Sequence, residues 1–282
     1  TAREAGEVLS AAVLSQENAE GLDGSGLDFR DCRFQSCRLR NCDFTGAAFY
    51  GCTFTGCLLE NCRLSATYWK DCRLSGCKWD GADLRRHLSR CVRYAREHRV
   101  HLVSGLFVHE GNLCLCLLGP DGQALCRQPA LHLSLPLRGA LRPGERAEVV
   151  HTELGNLFLC VDADIYHPQV LRTAALKGAD AVLSVQCLDP AEETPERVLC
   201  TVWNAAQSNN VYVANFAAGG AVVCCPAPVT RAGDGYLVRR TDALPVRFAL
   251  NMERLDEIRA RFELMEQINP ALVENYAAEL GR

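Results

Sequence analysis

The first third of the chain carries a large apolar residue at every fifth position. Between residues 27 and 84 the sequence divides into fives, beginning "LDFRD CRFQS CRLRN CDFTG AAFYG". The first residue of each five is nearly always small, and the remaining three are mostly polar or glycine. Helices repeat every 3.6 residues or so and strands every two, so neither explains this period. A solenoid explains it if each five forms one side of a square coil with the large residue inside. The inward column is Phe29, Phe34, Leu39, Phe44, Phe49, Phe54, Leu59, Leu64, Trp69, Leu74, Trp79 and Leu84.

Four such units in each turn predict about three coils, so that residues twenty positions apart stack on one another. Neighbouring coils lie about 4.8 Å apart, but stacked residues hold their Cβ atoms parallel, whereas a disulfide needs a dihedral of about 90°. Successive cysteines also point to different sides of the coil, which argues against a zinc site. We therefore expect ladders of reduced thiols. The predicted ladders are Cys32–Cys52–Cys72 and Cys37–Cys57–Cys77.

This pattern, sustained over twelve units, resembles the pentapeptide-repeat family, whose fold is a right-handed quadrilateral β-helix. Residues 27–86 hold ten basic against seven acidic side chains, which does not suit an acidic mimic of DNA. A stiff spacer or docking surface is the simpler interpretation.

The rest of the chain alternates helical and strand-like segments. "RRHLSRCVRYAREHR", "PQVLRTAALKGAD", "ERVLCTVWNAAQSNN" and "MERLDEIRARFELMEQI" have helical spacing, and we also expect a helix over "EAGEVLSAAVLSQ". "VHLVSGLFV", "NLCLCLLG", "NLFLCVD", "AVLSVQ", "VYVANFA", "GAVVCC", "GYLVRR" and "PVRFALN" indicate strands. This order predicts an α/β or α+β fold with two layers of sheet.

Composition narrows the class of protein. The 282 residues are 48% hydrophobic with a net charge of −4, which gives no general attraction to nucleic acid or membrane. Neither a membrane span nor a signal peptide is visible. The 17 cysteines are odd in number and lie in a long, apolar chain. They therefore indicate reduced, buried thiols and a cytoplasmic protein.

From about residue 88 to 280 the chain resembles the nitrilase, or carbon–nitrogen hydrolase, superfamily. "LLGPDGQALCRQPALHL" is similar to the family's "pdG…yrKxHL", and "LGNLFLCVDADIYHP" to its nucleophile strand "iGvliCyDxxfP". "LKGADAVLSV" is similar to "GAdlil", and "NNVYVANFAAG" to "ENxxyvvxaNxxG". The resemblance implies a partial nitrilase-like αββα sandwich over residues 85–282, preceded by a cap at 1–26 and the β-helix at 27–84.

Members of the superfamily use a cysteine nucleophile, a glutamate base and a lysine that stabilises the oxyanion. The resemblance implies that Cys160 stands at the nucleophile position. Its spacing of eight residues to Pro168 is longer than in most of the family and is similar to the pantetheinase and biotinidase branch. Gln128 or Ala130 stands where the lysine is expected, and Arg127 is the nearest cation.

The glutamate has no counterpart, because the five-residue repeat occupies its place and no "PE" follows an apolar strand before residue 100. Five other side chains are candidates for a substitute base: His132, His151, Glu153, Asp162 and His167. The sequence does not place them relative to the thiol.

Two hypotheses follow. In the first, the protein is a degenerate member of the superfamily that binds a protein partner or a small molecule. In the second, it is a diverged thiol hydrolase of an amide or nitrile with a rebuilt base. A carboxylate or imidazole in hydrogen-bond reach of the Cys160 sulfur would favour the enzyme. We expect Cys160 to be a poor nucleophile, because Asp162 would raise its pKa by like-charge repulsion.

The resemblance further implies a homodimer, since the family pairs through helices on one face of its sandwich. The C-terminal helix carries an apolar stripe at Leu255, Ile258, Phe262 and Met265. An unknown protein or a small amide is the other expected partner, and no cofactor, metal, nucleic acid or membrane is implied.

Overall fold

The computed structural model describes residues 7–64, 67–70, 72–75, 77–80, 82–134, 137–138, 141–186, 194–217, 220–243 and 245–280. Its N-terminal part is a four-sided parallel β-helix. Its strands are β1 (Val8–Ser10), β2 (Val13–Ser15), β3 (Asn18–Glu20), β4 (Asp28–Arg30), β5 (Arg33–Gln35), β6 (Arg38–Arg40), β7 (Ala48–Tyr50), β8 (Thr53–Thr55), β9 (Leu58–Glu60), β10 (Tyr68–Lys70), β11 (Arg73–Ser75) and β12 (Lys78–Asp80). Three sides are sheets that run through successive coils in the orders β1-β4-β7-β10, β2-β5-β8-β11 and β3-β6-β9-β12, and isolated bridges form the fourth.

The first coil corrects one prediction. The helix expected over "EAGEVLSAAVLSQ" is wrong, because residues 8–20 form strands that add a fourth coil to the predicted three. Leu9, Leu14 and Ala19 continue the five-residue column and pair in register with the column of the next coil. Pairing with an existing parallel edge outweighs the helical propensity of the Ala- and Glu-rich sequence.

The interior of the β-helix follows the predicted columns. Phe29 stacks on Phe49 with ring centroids 4.7 Å apart, and Phe34 on Phe54 at 4.3 Å. Cysteines at the first position of the repeat donate their thiol hydrogens to backbone carbonyls of the preceding coil. For example, Cys52 Sγ lies 3.3 Å from the Phe29 oxygen. All sixteen cysteines in the described ranges are free thiols.

A four-stranded antiparallel sheet follows helix α1 (Ala82–His98). It contains β13 (Leu102–Val103), β14 (Phe107–His109), β15 (Asn112–Leu118) and β16 (Ala124–Pro129), with β15 paired to the other three. Helix α1 covers its outer face, where Ala95 is buried with Cys114 and Cys116.

The second sheet has six strands in chain order. The strands are β17 (Val149–Thr152), β18 (Gly155–Val161), β19 (Ala181–Val185), β20 (Tyr212–Ala217), β21 (Gly220–Cys224) and β22 (Tyr236–Thr241), and β18, β19 and β20 are parallel. Helices α2 (Pro168–Leu176) and α3 (Pro195–Asn209) make the two parallel crossovers.

The two faces of β18 bury different side chains. Leu157, Leu159 and Val161 pack against the four-stranded sheet, whereas Phe158 and Cys160 pack under α2 and α3. The layers are therefore helix, sheet, sheet and helix, which confirms the predicted αββα sandwich beside a β-helix. None of the helices in the described residues is long and apolar enough to cross a membrane.

The C-terminal segment differs from prediction in two places. "PVRFALN" forms no strand; Tyr212 Oη instead accepts a bond from Asn251 N and donates one to its carbonyl. The single helix expected over residues 252–268 is α4 (Met252–Phe262), which ends where Glu263 adopts a left-handed φ of 42°. A second helix, α5 (Pro270–Leu280), follows.

Candidate functional site

The parallel strands β18, β19 and β20 end at one edge of the six-stranded sheet, where side chains from different strands gather. From β18 the chain enters a short 3₁₀ helix (Asp162–Tyr166) and then α2, whose first residue is Pro168. The turn starts at Asp162, whose φ of 53° lies in the left-handed region. Residues other than glycine seldom adopt this conformation, and they concentrate at functional turns.

Cys160 lies inside β18, two residues before this turn, and its side chain is fully buried. It packs with Phe158 and Val182 beneath the helix layer. Burial is the main cause that raises the pKa of its thiol well above the ordinary value, and the charges of Asp164 and Asp162 raise it further. The thiol is therefore held in its protonated, unreactive form.

Ser184 is the polar neighbour of this thiol. It pairs with Cys160 in the register between β18 and β19, and its hydroxyl acts to lower the pKa of Cys160. Hydrogen-bond geometry nevertheless leaves the Ser184 hydroxyl without a partner, so the contact is a weak one. In the described part of the chain, neither a carboxylate nor an imidazole hydrogen-bonds the Cys160 sulfur.

Asp164 holds the turn against the loop that follows β16. Its fully buried carboxylate accepts bonds from the backbone nitrogens of Leu131, at 2.9 Å, and His132, at 2.7 Å. The His132 Nδ1 lies 3.0 Å from the same carboxylate. The His132 ring stacks on His167 at 3.6 Å, and burial followed by the neighbouring His132 lowers the pKa of His167.

Comparisons with known proteins agree with this architecture. Residues 28–65 match the family model for pentapeptide repeats in eight copies. The structure is similar to a carbon–nitrogen hydrolase from Helicobacter pylori G27, with a TM-score of 0.58, 17% identity, and coverage of 69% of this chain and 76% of that chain. It is also similar to Saccharomyces cerevisiae Nit3, a member of branch 10 of the nitrilase superfamily, with a TM-score of 0.56, 18% identity, and coverage of 64% and 71%.

The chain has the nitrilase-superfamily fold. No curated protein matches its sequence.

The nitrilase motif "iCyDxxfP" then admits a second alignment. The motif places its nucleophile six residues before its proline, and six residues before Pro168 is Asp162, not Cys160. The motif's own aspartate then falls on Asp164, the buried carboxylate that fixes the turn. The count back from Pro168 thus ends at Asp162, which begins the turn with a left-handed φ, and Cys160 lies two residues earlier in the strand.

The residues at the expected lysine position carry no charge. Gln128 is fully buried and donates to the carbonyls of Pro129, at 2.8 Å, and Arg146, at 3.0 Å. Its Oε1 accepts a bond of 2.8 Å from the Glu148 backbone. Ala130 is also buried, and Arg127 is exposed, on the side of the sheet that carries Cys114 and Cys116.

The other candidate bases separate into two groups. The first group lies at the turn after β18: Asp162 begins the turn, His132 contacts the Asp164 carboxylate, and His167 stacks on His132. His151 lies on the outer strand β17, with Nδ1 2.6 Å from Asn156 Oδ1. Glu153 is 68% exposed in the hairpin after β17 and pairs with His101.

Two further polar residues gather at the same sheet edge, and sequence reasoning missed both as site residues. Asn215 on β20 pairs in register with Ser184, and Gln186 follows Ser184 by two positions. Their signal is a polar residue inside an apolar strand, in "AVLSVQ" and "VYVANFA". In the described residues, no group of three or more His, Cys, Asp or Glu side chains is arranged to hold a metal ion.

Proposed function

We propose that this protein is a non-catalytic member of the nitrilase fold that binds a ligand or partner instead of cleaving a carbon–nitrogen bond. The observation that carries the proposal is the aspartate at the left-handed turn, where the motif spacing expects the cysteine nucleophile. A carboxylate attacks amides poorly, because the tetrahedral intermediate expels the carboxylate, which is a better leaving group than the amine, and so returns the amide. The cysteine two residues earlier is buried with a raised pKa.

The remaining catalytic positions support the same proposal. Catalytic groups that act as a unit lose most of their effect when any one of them is removed. Gln128 or Ala130 stands where the lysine is expected, and the β-helix occupies the part of the chain where the glutamate is expected. Oxyanion stabilisation and general-base activation are therefore left without their usual residues.

The alternative is a diverged thiol hydrolase that uses Cys160. The Ser184 hydroxyl favours it to a degree, since it is the one neighbour that acts to lower the pKa of the thiol. Reaction with iodoacetamide at pH 7, followed by peptide mass spectrometry, separates the two. The exposed Cys200 is an internal control, which we expect to react first while Cys160 stays unmodified.

Selective labelling of Cys160 ahead of Cys200 would favour the hydrolase. A second arm measures ammonia release from acetamide, propionamide and benzonitrile. We expect no release above buffer, and Cys160→Ala should leave that background unchanged. Release that disappears in Cys160→Ala would contradict the proposal.

We also propose a cytoplasmic homodimer. The free thiols support a reducing compartment. The predicted stripe is partly used within the chain, because Leu255 and Ile258 are buried there. Phe262 on α4 and Leu272 on α5 are 42% and 64% exposed and supply the apolar surface for pairing. Light scattering should give twice the 31.0 kDa chain mass, and Leu272→Glu should give the monomer. A monomer at micromolar concentration would contradict the dimer.

A further inference from the structure

The last helix of the chain is not covered by the rest of the protein. Every residue of α5 is exposed, and four of its apolar side chains are between 49% and 70% exposed: Leu272, Val273, Tyr276 and Leu280. At 3.6 residues per turn these four lie on one side of the helix, which we call the α5 stripe. A helix of only eleven residues is marginal in water without tertiary packing. The α5 stripe therefore indicates a missing surface that covers it.

The segment that carries the α5 stripe is acidic. Residues 263–280 contain four glutamates and neither lysine nor arginine. Two of the glutamates, Glu274 and Glu279, lie on α5 and fall at opposite borders of the stripe. Like charges that face one another oppose association, so the stripe is poorly suited to pair with the same stripe of another molecule. It is suited to an apolar groove with a basic rim.

The outer side of α1 has such a groove, which we call the α1 groove. Its volume is about 430 Å³, and its lining residues are Arg90, Cys91, Arg93, Tyr94, Glu97 and Leu102. Cys91 and Leu102 are half-buried, and the exposed Tyr94 ring adds apolar surface beside them. The surroundings are basic, because residues 88–99 contain four arginines against one glutamate.

The arginines of the α1 groove are weakly paired within the chain. Arg93 lies 3.9 Å from Glu97, and both side chains are largely exposed. Arg90 forms no salt bridge with any residue that the structure describes. Exposed pairs at this distance contribute little free energy, so carboxylates of a partner can approach these arginines at small cost.

We propose that the α5 stripe of one molecule packs into the α1 groove of a second copy of this chain. Both surfaces are exposed in the single chain, so α5 does not cover the groove of its own molecule. The apolar side chains of the stripe pack beside Tyr94, and Glu274 and Glu279 lie near the arginines. Reciprocal exchange about a two-fold axis makes two identical contacts and closes a dimer. This inference rests on the proposed homodimer and names the surface that receives α5.

The first test reverses the charges of the two surfaces. Arg90→Glu/Arg93→Glu and Glu274→Arg/Glu279→Arg should each raise the dissociation constant of the dimer by about tenfold or more, measured by analytical ultracentrifugation at low salt. With all four substitutions in one chain the signs are again opposite, and the constant should return toward the wild-type value. The control is Arg33→Glu/Arg73→Glu, an equal change of charge at exposed positions of the β-helix, which should leave the constant unchanged.

The outcomes separate this inference from the homodimer on which it rests. A wild type that stays monomeric contradicts both. A wild-type dimer that neither charge-reversed pair weakens contradicts only the placement of α5 in the α1 groove. A dimer that Glu274→Arg/Glu279→Arg tightens shows that α5 pairs with an acidic surface and overturns the inference. A chain with all four substitutions that dimerises no better than the two separate variants overturns it as well.

The second test identifies the occupant of the groove, with a labelled peptide of residues 263–280 as the probe. The peptide is added to the Leu272→Glu chain, whose own stripe is interrupted while its α1 groove is unchanged. Fluorescence anisotropy should show saturable binding, weaker by about tenfold or more when Arg90→Glu/Arg93→Glu is also present. The matched control is the same peptide with Leu272→Glu, which should bind more weakly by a similar factor. Absence of saturable binding, or equal binding by the two peptides or to the two chains, would overturn the inference.

Discussion

The β-helix and the sandwich both bury cysteines beside parallel strands, but they place the thiols differently. In the β-helix the thiols of Cys52 and Cys57 lie 3.3 Å from carbonyls of the preceding coil, and burial raises the pKa of Cys52 to about 11. In the sandwich Cys160 has no such carbonyl bond among the described contacts, and the carboxylates of Asp164 and Asp162 add to the effect of burial. Resemblance to a motif does not by itself make a thiol reactive, because burial and the neighbouring charges set the pKa of that thiol.

The two regions also differ in how far the sequence determines the alignment. The five-residue period is repeated so often that a shift of one residue would move every aromatic side chain outward. The turn after β18 occurs only once, and two spacings compete for it. Counting forward from the strand gives Cys160, and counting back from Pro168 gives Asp162.

The largest expected loss of stability comes from a charge placed inside the five-residue repeat. Phe49→Asp places a charge in the interior of the β-helix, where Phe49 is 1% exposed and stacks on Phe29. We expect it to lower the free energy of unfolding by about 4 kcal/mol or more, from lost packing and an unpaired buried charge. Chemical denaturation measures the effect, with the outward-facing Gln35→Asp as control. Equal stability of the two variants would show that the column is not internal.

The next prediction concerns the hydrogen bonds by which Asp164 holds the turn after β18. Asp164→Asn removes the charge that accepts from the Leu131 and His132 backbones and faces His132 Nδ1. We expect a loss of about 2 kcal/mol or more of folding free energy, because a buried donor is left unpaired. Exposed Asp121→Asn is the control, and denaturation curves compare the two. Similar curves would mean that Asp164 does not fix the turn.

Much of the fold was predictable, because periodicity reports which side of a strand or helix is buried. The wrong predictions of secondary structure lie where strand pairing or a single backbone angle determines the structure. Residues 8–20 are helical by composition, yet they pair with the existing coil. "PVRFALN" alternates like a strand but pairs with none of the described strands. The left-handed Glu263 ends α4 without the glycine that would have signalled it.

The candidate site was predictable only in part. The motif predicted the strand, the turn and Cys160 as the candidate nucleophile, and the position of the nucleophile stays a prediction. The amides of Gln186 and Asn215 were missed, since their significance lies in the absence of partners around them. Hydrogen-bond satisfaction is a property of the packed structure and leaves no trace in composition.

A smaller effect tests the backbone conformation at Asp162. Asp162→Gly and Asp162→Ala both remove the carboxylate, but only glycine adopts a φ of 53° without strain. We expect the glycine variant to be more stable than the alanine variant by about 1 kcal/mol. Thermal denaturation at one pH makes the comparison, and Ala163→Gly against the wild type is the control. An alanine variant at least as stable as glycine would show that the left-handed turn lies elsewhere.

The smallest effect is a dependence of stability on pH that arises beside this turn. Burial, the neighbouring His132 and Arg138 lower the pKa of His167 from 6.5, against the opposing charge of Asp164. The unfolded chain therefore binds this proton more readily than the folded chain. Stability should fall as the pH drops through about 6.5 and level off below the folded pKa. Melting temperatures at pH 7.5, 6.5 and 5.5 measure the fall, and the range stays above the ordinary pKa values of the carboxylates. In His167→Gln the slope should be smaller than in the wild type. An equal slope in both proteins would assign the dependence to another group and remove the link between the stacked imidazoles and the turn.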